Sequence, residues 1–162
     1  MNFNNNQAQS SKWVAMCHGM DPIILKLLNF SIPGTHVSQT EIGGSENIQL
    51  LIPGDHVTYD PLDFDFLIDD DYANYQQVFD WLHRITVNEP VVDEMKTITL
   101  YLLSNYGEIS NFCVEFENAW PTDLSVVPLD NTNDTTDLQA SLTLNFERMT
   151  MRRCCTLMSE LT

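Results

Sequence analysis

The alternation of apolar and polar residues changes its period within the segment from residue 59 to residue 82. Leu62, Phe64, Phe66 and Ile68 point to one side and Asp63 and Asp65 to the other, which is the pattern of a half-buried β-strand. After Asp69-Asp70-Asp71 the apolar residues recur every three or four positions as far as Ile85, which predicts an amphipathic helix over residues 72–84. The aspartates stand where a helix N-terminus accepts capping side chains and negative charge.

Most of the other apolar segments have the pattern of β-strands. The clearest runs from Leu138 to Phe146, where every second residue is apolar, and residues 97–103 and 109–117 flank a hairpin signal at Ser104–Gly107. Shorter apolar segments occupy residues 12–18, 23–32 and 48–52, and Pro53-Gly54-Asp55 predicts a turn. We therefore predict a mainly β fold: two packed antiparallel sheets, as a sandwich or flattened barrel, with one amphipathic α-helix.

The same alternation predicts which side chains form the core. On the strands we expect burial of Phe64, Phe66, Leu100, Leu102, Val114, Phe116, Leu142 and Leu144. The helix is expected to pack onto a sheet through its aromatic and aliphatic residues, chiefly Tyr75, Phe79 and Leu82, with Val78 and Trp81 on the same face.

At 162 residues the chain is expected to form one main domain. Residues 1–11 are rich in Asn and Gln and predict a flexible polar arm, residues 12–150 hold the β domain, and residues 151–162 form a C-terminal tail. The polar segment from Thr35 to Asn47 is predicted to be a long loop, and connections of that length are usually functional or mobile.

The charge is strongly acidic, with 23 Asp and Glu against 7 Lys and Arg and a formal net charge of −16. Such a surface repels phosphates, so specific binding of nucleic acid over the body of the protein is not expected. Cys17 and Cys113 are expected to be small buried apolar residues, and Cys154-Cys155 is a vicinal pair without metal-ligand spacing. Neither a secretory signal nor an apolar membrane span is predicted.

Motifs that would indicate catalysis are missing from the sequence. It contains no nucleophile elbow, phosphate-binding glycine loop, dinucleotide fingerprint or H-E-x-x-H zinc motif, and no cofactor or metal is expected. Asp63 and Asp65 would place their carboxylates about 7 Å apart on one strand face, a spacing that could suit glycoside hydrolysis. Residues 69–71 lack the alternating spacing of a calcium loop, and acids on a solvent-facing strand are ordinarily just solvated. We predict that the protein is not an enzyme.

Several segments in this order resemble the tail-tube proteins of contractile-tailed bacteriophages and the related proteins that begin the tube on the baseplate. The segments are F-x-I-P-G at residues 30–34, G-D-x-x-x-Y-D-P-L-x-F-x-F-x-x-D at 54–69, N-Y-x-x-x-F-D-W-L at 74–82, and the A-W-P-T turn at 119–122 before a final alternating strand. The resemblance covers residues 23–146, whereas Met149–Thr162 has no counterpart in it.

The resemblance implies a structural virion protein that forms hexameric rings. The rings would stack into the inner tube of the tail, assembled in the host cytoplasm, and phage DNA would pass through without specific binding. Tail sheath, baseplate and tail-terminator proteins would be its partners, the helix would lie outside the ring, and no membrane would be involved. A tube-initiator ring of the same fold is one alternative, and a small acidic binding module that mimics nucleic acid is another.

Two sets of candidate site residues follow from that implied role. The strand-borne acids proposed to line the channel are Asp63, Asp65, Glu115, Glu117 and Glu147. The polar loop proposed to reach the neighbouring ring contains Thr35, His36, Ser38, Gln39, Thr40, Glu41, Gly43 and Gly44.

Overall fold

The protein is mainly β, with one α-helix. The structure, a computed structural model, describes residues 13–19, 26–43, 50–87, 89–104, 106, 108–130 and 137–153. The strands are β1 (Trp13–Cys17), β2 (Lys26–Phe30), β3 (Thr35–Ile42), β4 (Leu50–Tyr59), β5 (Leu62–Leu67), β6 (Lys96–Leu103), β7 (Ile109–Leu124), β8 (Gln139–Asn145) and β9 (Arg148–Arg153). The helix α1 spans Ala73–Val87, and a short 3-10 turn spans Val91–Glu94.

Strand β7 is sixteen residues long and connects two layers of one large antiparallel sheet. Its first part pairs with β6 and with β9, whereas its last residues pair with β8. The change of partner occurs at Asn118, whose φ of 52° is in the left-handed region. We call β1, β6, β9 and the first part of β7 layer A, and β2, β5, β8 and the end of β7 layer B.

Aromatic side chains pack the two layers against each other. Phe30 of layer B lies with its ring centroid 5.9 Å from that of Phe116 and 5.7 Å from that of Trp13, both in layer A. Phe66, Phe116, Leu142 and Leu144 are almost completely buried between the layers. The predicted core is confirmed, except that Leu102 is only partly buried at its edge. The two packed sheets of the prediction are therefore two layers of one continuous sheet.

The helix lies where the sequence places it, but a different face packs on the core. Its buried residues are Asn74, Val78 and Trp81, which are spaced by four and three. Asn74 is buried because its side chain joins the helix to the end of β5: Nδ2 donates to the Leu67 carbonyl oxygen at 2.7 Å, and Oδ1 accepts the N–H of Asp69 at 3.1 Å. Of the three aspartates, Asp71 accepts the Ala73 N–H at 3.2 Å, but the predicted negative charge in the first turn is wrong because the helix begins at Ala73 and no acidic residue lies in that turn.

The packing predicted for Phe79 is wrong, because its side chain is 47% exposed on the outer side of the helix and contacts His83. One residue corresponds to about 100° around a helix, so Phe79 cannot share the face centred on Val78 and Trp81. Tyr75 and Leu82 lie at the borders of that face and are half-buried. The sequence reasoning missed Asn74 because a polar residue rarely indicates a core position.

Most of the segment predicted as a long loop is instead strand β3, Thr35–Ile42, and residues 44–47 lie outside the described residues. Strand β3 pairs with β4 in a separate two-stranded sheet, in which Thr35 lies opposite Tyr59 and Ile42 opposite Leu50. The predicted turn at Pro53-Gly54-Asp55 lies inside β4, where the register shifts between Val37 and Gln39. Strand β3 was not predicted because side chains on both faces of this sheet are exposed. Without a buried face, the sequence does not alternate between apolar and polar residues.

Two further boundaries differ from the expectation. The A-W-P-T segment at residues 119–122 continues β7 instead of forming a turn, and the bend falls on Asn118 just before it. Strand β9 runs through Arg153, so the expected domain end at residue 150 lies inside a paired strand. The predicted N-terminal arm and the tail beyond Arg153 lie outside the described residues.

The two described cysteines are in different chemical states. Cys113 is buried and disulfide-bonded, so the prediction of an unpaired apolar residue is wrong for it. Cys17 is a free cysteine beside the core, where burial raises the pKa of its thiol to about 11 although Lys96 opposes the shift. The Cys17 thiol is therefore protonated, and a poor nucleophile, at neutral pH.

Candidate channel and assembly surfaces

The outer face of layer B is acidic and carries no ion pair among the described residues. Asp63 and Asp65 point away from the core on β5, and Asp123 lies across β8 on the end of β7. Asp63 accepts the Thr143 hydroxyl at 2.6 Å. Asp65 accepts the Ser141 hydroxyl and the Asn29 amide, each at 2.5 Å. The carboxylates are thus held by neutral donors, and no described cation offsets their negative charge.

The outer face of layer A, by contrast, contains acids that are matched by arginines. Glu115 on β7 lies 3.3 Å from the Arg152 guanidinium, and Glu117 lies 3.9 Å from both Arg152 and Arg148. All four side chains point away from the core, since Val114 and Phe116 alternate with the two glutamates and are fully buried. This face therefore presents a mixed-charge surface. The sequence analysis missed it because β9 was not predicted, although Arg148, Thr150 and Arg152 alternate with Met149 and Met151.

Glu147 belongs to neither face. It lies in the bend between β8 and β9, so its expected position on a strand is wrong. Its N–H donates to the Glu117 carbonyl oxygen at 3.1 Å, and its carboxylate accepts the Asn118 amide at 2.7 Å. Glu147 thus stabilises the bend that turns the β7–β8–β9 ribbon from one layer into the other.

The β3–β4 hairpin carries all but one of the residues expected to reach a neighbouring ring. Thr35, His36, Ser38, Gln39, Thr40 and Glu41 lie on β3 and Gly43 follows it, whereas Gly44 lies outside the described residues. The hairpin also exposes apolar side chains, of which Val37 is 54% and Leu51 59% exposed. Since neither β3 nor β4 pairs with any other described strand, both outer edges of the hairpin present free backbone groups.

Polar contacts at the hairpin base fix where it leaves the body. Gly34 accepts the Asp60 N–H at 3.1 Å through its carbonyl oxygen, and the Asp60 carboxylate lies 3.1 Å from the His36 ring. A Cβ at Gly34 would displace the Asp60 carboxylate and disturb its contact with His36. Further out, Gly54 packs directly on Ser38, whose carbonyl oxygen would lie 2.8 Å from a Cβ at Gly54.

The described part of the chain shows no site for metal chemistry. No group of three or more His, Cys, Asp or Glu side chains within it is arranged to hold a metal ion. No helix found there is long and apolar enough to cross a membrane. Within the described residues, the Asp63 and Asp65 carboxylates accept hydrogen bonds from hydroxyl and amide groups.

Solved structures with the same fold include components of an extracellular contractile injection system. The chain matches one from the sheath/tube terminator of PVC, an extracellular contractile injection system, with a TM-score of 0.71 and 18% identity, over 93% of this chain and 99% of that one. It matches one from the PVC sheath–tube complex with a TM-score of 0.66 and 17% identity, over 93% and 94% of the two chains. Hcp1 from Salmonella typhimurium matches with a TM-score of 0.51 and 14% identity, over 86% and 85%.

At the sequence level, no protein-family model matches the chain, and no curated protein matches it significantly. The likeness therefore rests on the arrangement of the strands and the helix, which extends over nearly the whole of both chains in the PVC matches. These neighbours are tube, terminator and Hcp proteins and not enzymes. The protein has the tail-tube-like fold of contractile injection systems.

Proposed function

We propose that this protein is a structural subunit of the tube of a contractile phage tail or a related injection particle. Six copies close into a ring, and the rings stack into a hollow tube. The observation that carries the proposal is the shared fold over 93% of this chain and 99% of the terminator-complex chain, without a large unmatched insertion. Sheath, baseplate and terminator proteins are the partners that such a tube meets at its surface and its ends.

The strand edges give this proposal a physical basis. Three strands of the described sheet have a single strand partner: β1 pairs only with β6, β2 only with β5 and β9 only with β7. Free strand edges favour pairing with another chain, and closing strands into a barrel removes those edges. A ring of identical subunits that pair edge to edge satisfies the backbone groups that a single subunit leaves open.

Of the two outer faces, the acidic face of layer B is the better channel wall. Among the described side chains its acids have no cation beside them, so they repel the phosphates of a passing DNA, and a conduit must not retain its cargo. Glu115 and Glu117 belong to the opposite layer and are matched by Arg148 and Arg152. We therefore assign the channel to Asp63, Asp65 and Asp123, and the remaining glutamates to other surfaces of the ring.

The size and shape of the purified protein test the assembly directly. We expect negative-stain images to show six-fold rings and tubes, and mass measurements to show a hexamer or larger species. A protein that stays a monomer or dimer at high concentration would contradict the proposal, and would favour a small acidic binding module. A ring that forms but never elongates would indicate the second candidate, a terminal or tube-initiator ring.

Reversing the charge of the proposed channel wall should make the tube retain DNA. In tubes of Asp63→Lys/Asp65→Lys, lysines replace the acids on every subunit, and their attraction to phosphates weakens steeply as salt rises. We expect DNA to co-sediment with these tubes at low salt and to be released as salt increases. The matched control is Asp80→Lys/Glu108→Lys, which changes the charge equally at exposed positions of the helix and of the β6–β7 connection. If the two variants retain DNA equally, layer B does not line the channel.

A further inference from the structure

Strand β9 concentrates positive charge at a free sheet edge. It carries Arg148, Arg152 and Arg153, three of the seven Lys and Arg in a chain with a net charge of −16. Among the described strands it pairs only with β7, so the backbone groups along its other edge have no strand partner. The side chain of Met151 is 52% exposed on the same strand.

Ion pairs within the described part of the subunit neutralise only part of the positive charge on β9. Arg152 and Arg148 share Glu115 and Glu117, and two of the three distances are 3.9 Å. Arg153 is exposed and has no ion pair within the described part of the chain. Away from β9, the other cations whose side chains are described are engaged internally: Arg84 pairs with Glu94 at 3.1 Å, and Lys96 donates to the Gly19 carbonyl oxygen and lies over Trp81.

The β3–β4 hairpin has the opposite properties. It exposes the carboxylates of Glu41 and Asp55, and the only described charged neighbour of Asp55 is His56. It also exposes apolar side chains and leaves both of its strand edges free. A surface with free backbone groups, aliphatic residues and acids complements one with free backbone groups, a methionine and arginines.

From this complementarity we infer that the β3–β4 hairpin of one copy docks on the free edge of β9 of a second copy in the next ring. The inference rests on the proposed function and names the two surfaces that hold successive rings together. Each copy donates a hairpin and receives one, so the contact is heterologous and does not close on itself along the tube axis. Such a contact propagates as rings are added, which is what elongation of a tube requires.

The long-range charge of the subunits gives the arginines a specific role. Copies with a net charge of −16 repel one another, and β9 is a described strand whose positive charge can attract the acidic body. Ion pairs between Arg153 and the hairpin acids would also fix the orientation of one ring on the next, because like charges placed opposite each other cost free energy.

Charge exchange between the two surfaces tests the inference. Arg153→Glu leaves the pairs of Arg148 and Arg152 with their glutamates intact, and should raise the concentration needed for stacking about tenfold while rings persist. A stronger variant, Arg152→Glu/Arg153→Glu, should stop stacking. Combining either β9 variant with Glu41→Lys/Asp55→Lys should restore tubes, because the charges of both surfaces are then exchanged. Asp80→Lys/Glu108→Lys changes the charge as much as the hairpin exchange does and is its matched control: added to the stronger β9 variant, it should not restore tubes.

Electron microscopy and sedimentation distinguish single rings from stacked rings, so ring formation and ring stacking are measured separately. If the unmodified protein forms no rings, the proposed function fails, whatever the variants do. If it forms tubes, and Arg153→Glu and the stronger variant form them at the same concentration, the inference fails while the proposed function stands. A stacking defect in the β9 variants that the hairpin exchange does not relieve would also overturn it, since an acidic partner other than the hairpin would then be indicated.

Discussion

Replacing Phe66 with alanine is expected to lower the free energy of unfolding by about 3–5 kcal/mol. Phe66 is completely buried on β5, and its cross-strand neighbours are Leu27 on β2 and Ala140 on β8. Paired strands on both sides prevent the backbone from closing over the cavity, and the small side chain of Ala140 cannot fill it. Reversible denaturant unfolding of the two proteins measures the difference.

The matched control for this prediction is Phe79→Ala, which removes the same aromatic ring from a position that is 47% exposed. We expect it to change the free energy of unfolding by less than about 1 kcal/mol, because only a contact with His83 and part of the apolar area are lost. Equal effects of the two substitutions would contradict the assignment of Phe66 to the core and of Phe79 to the surface.

Shortening the β3–β4 hairpin is expected to abolish tubes and leave single rings. Joining Ser38 to Gly54 through Asn-Gly removes residues 39–53, which form the outer half of the hairpin. The base should persist, because Val37 still pairs with Val57 and the contact between His36 and Asp60 at 3.1 Å is retained. Electron microscopy of the assembled protein gives the distribution of tube lengths.

Two pairs of substitutions separate a specific hairpin contact from a general loss of apolar surface. Val37→Ser/Leu51→Ser alters the hairpin, whereas Val126→Ser/Leu129→Ser alters the connection after β7, where the exposure is even higher at 88% and 75%. We expect shorter tubes only from the first pair. Tubes of ordinary length from the shortened hairpin would show that stacking does not use it.

The two oppositely charged surfaces bear on how assembly would be controlled. Repulsion between free subunits slows association, and an initial ring on a baseplate would offer β9 edges or hairpins already at high local concentration. Once the first contacts form, the arginines of β9 offset part of the repulsion at each new interface. High salt should therefore ease repulsion between free subunits and also weaken the attraction between the hairpin and β9.

The core and the helix could be predicted from the sequence because burial acts on every residue of a strand or helix that faces inward. The alternation in Leu62–Leu67 and in Gln139–Asn145 corresponds to buried and outward positions almost residue by residue. The single helix was predicted within a few residues of its observed bounds, Ala73–Val87. The candidate channel residues were selected because the strand pattern places their acidic side chains outward. The pattern does not show on which face of the folded molecule an outward side chain lies.

Only the tertiary structure shows which strands pair with each other and which side chains meet as a result. The bend at Asn118 sends one ribbon of strands into both layers, so Glu115 meets arginines whereas Asp63 meets hydroxyls. The hairpin and β9 were not predicted because they are exposed on both faces or at an edge, where no core imposes a period on the side chains. Local periodicity thus determined what is buried, whereas the long-range pairing of strands determined which charges come together.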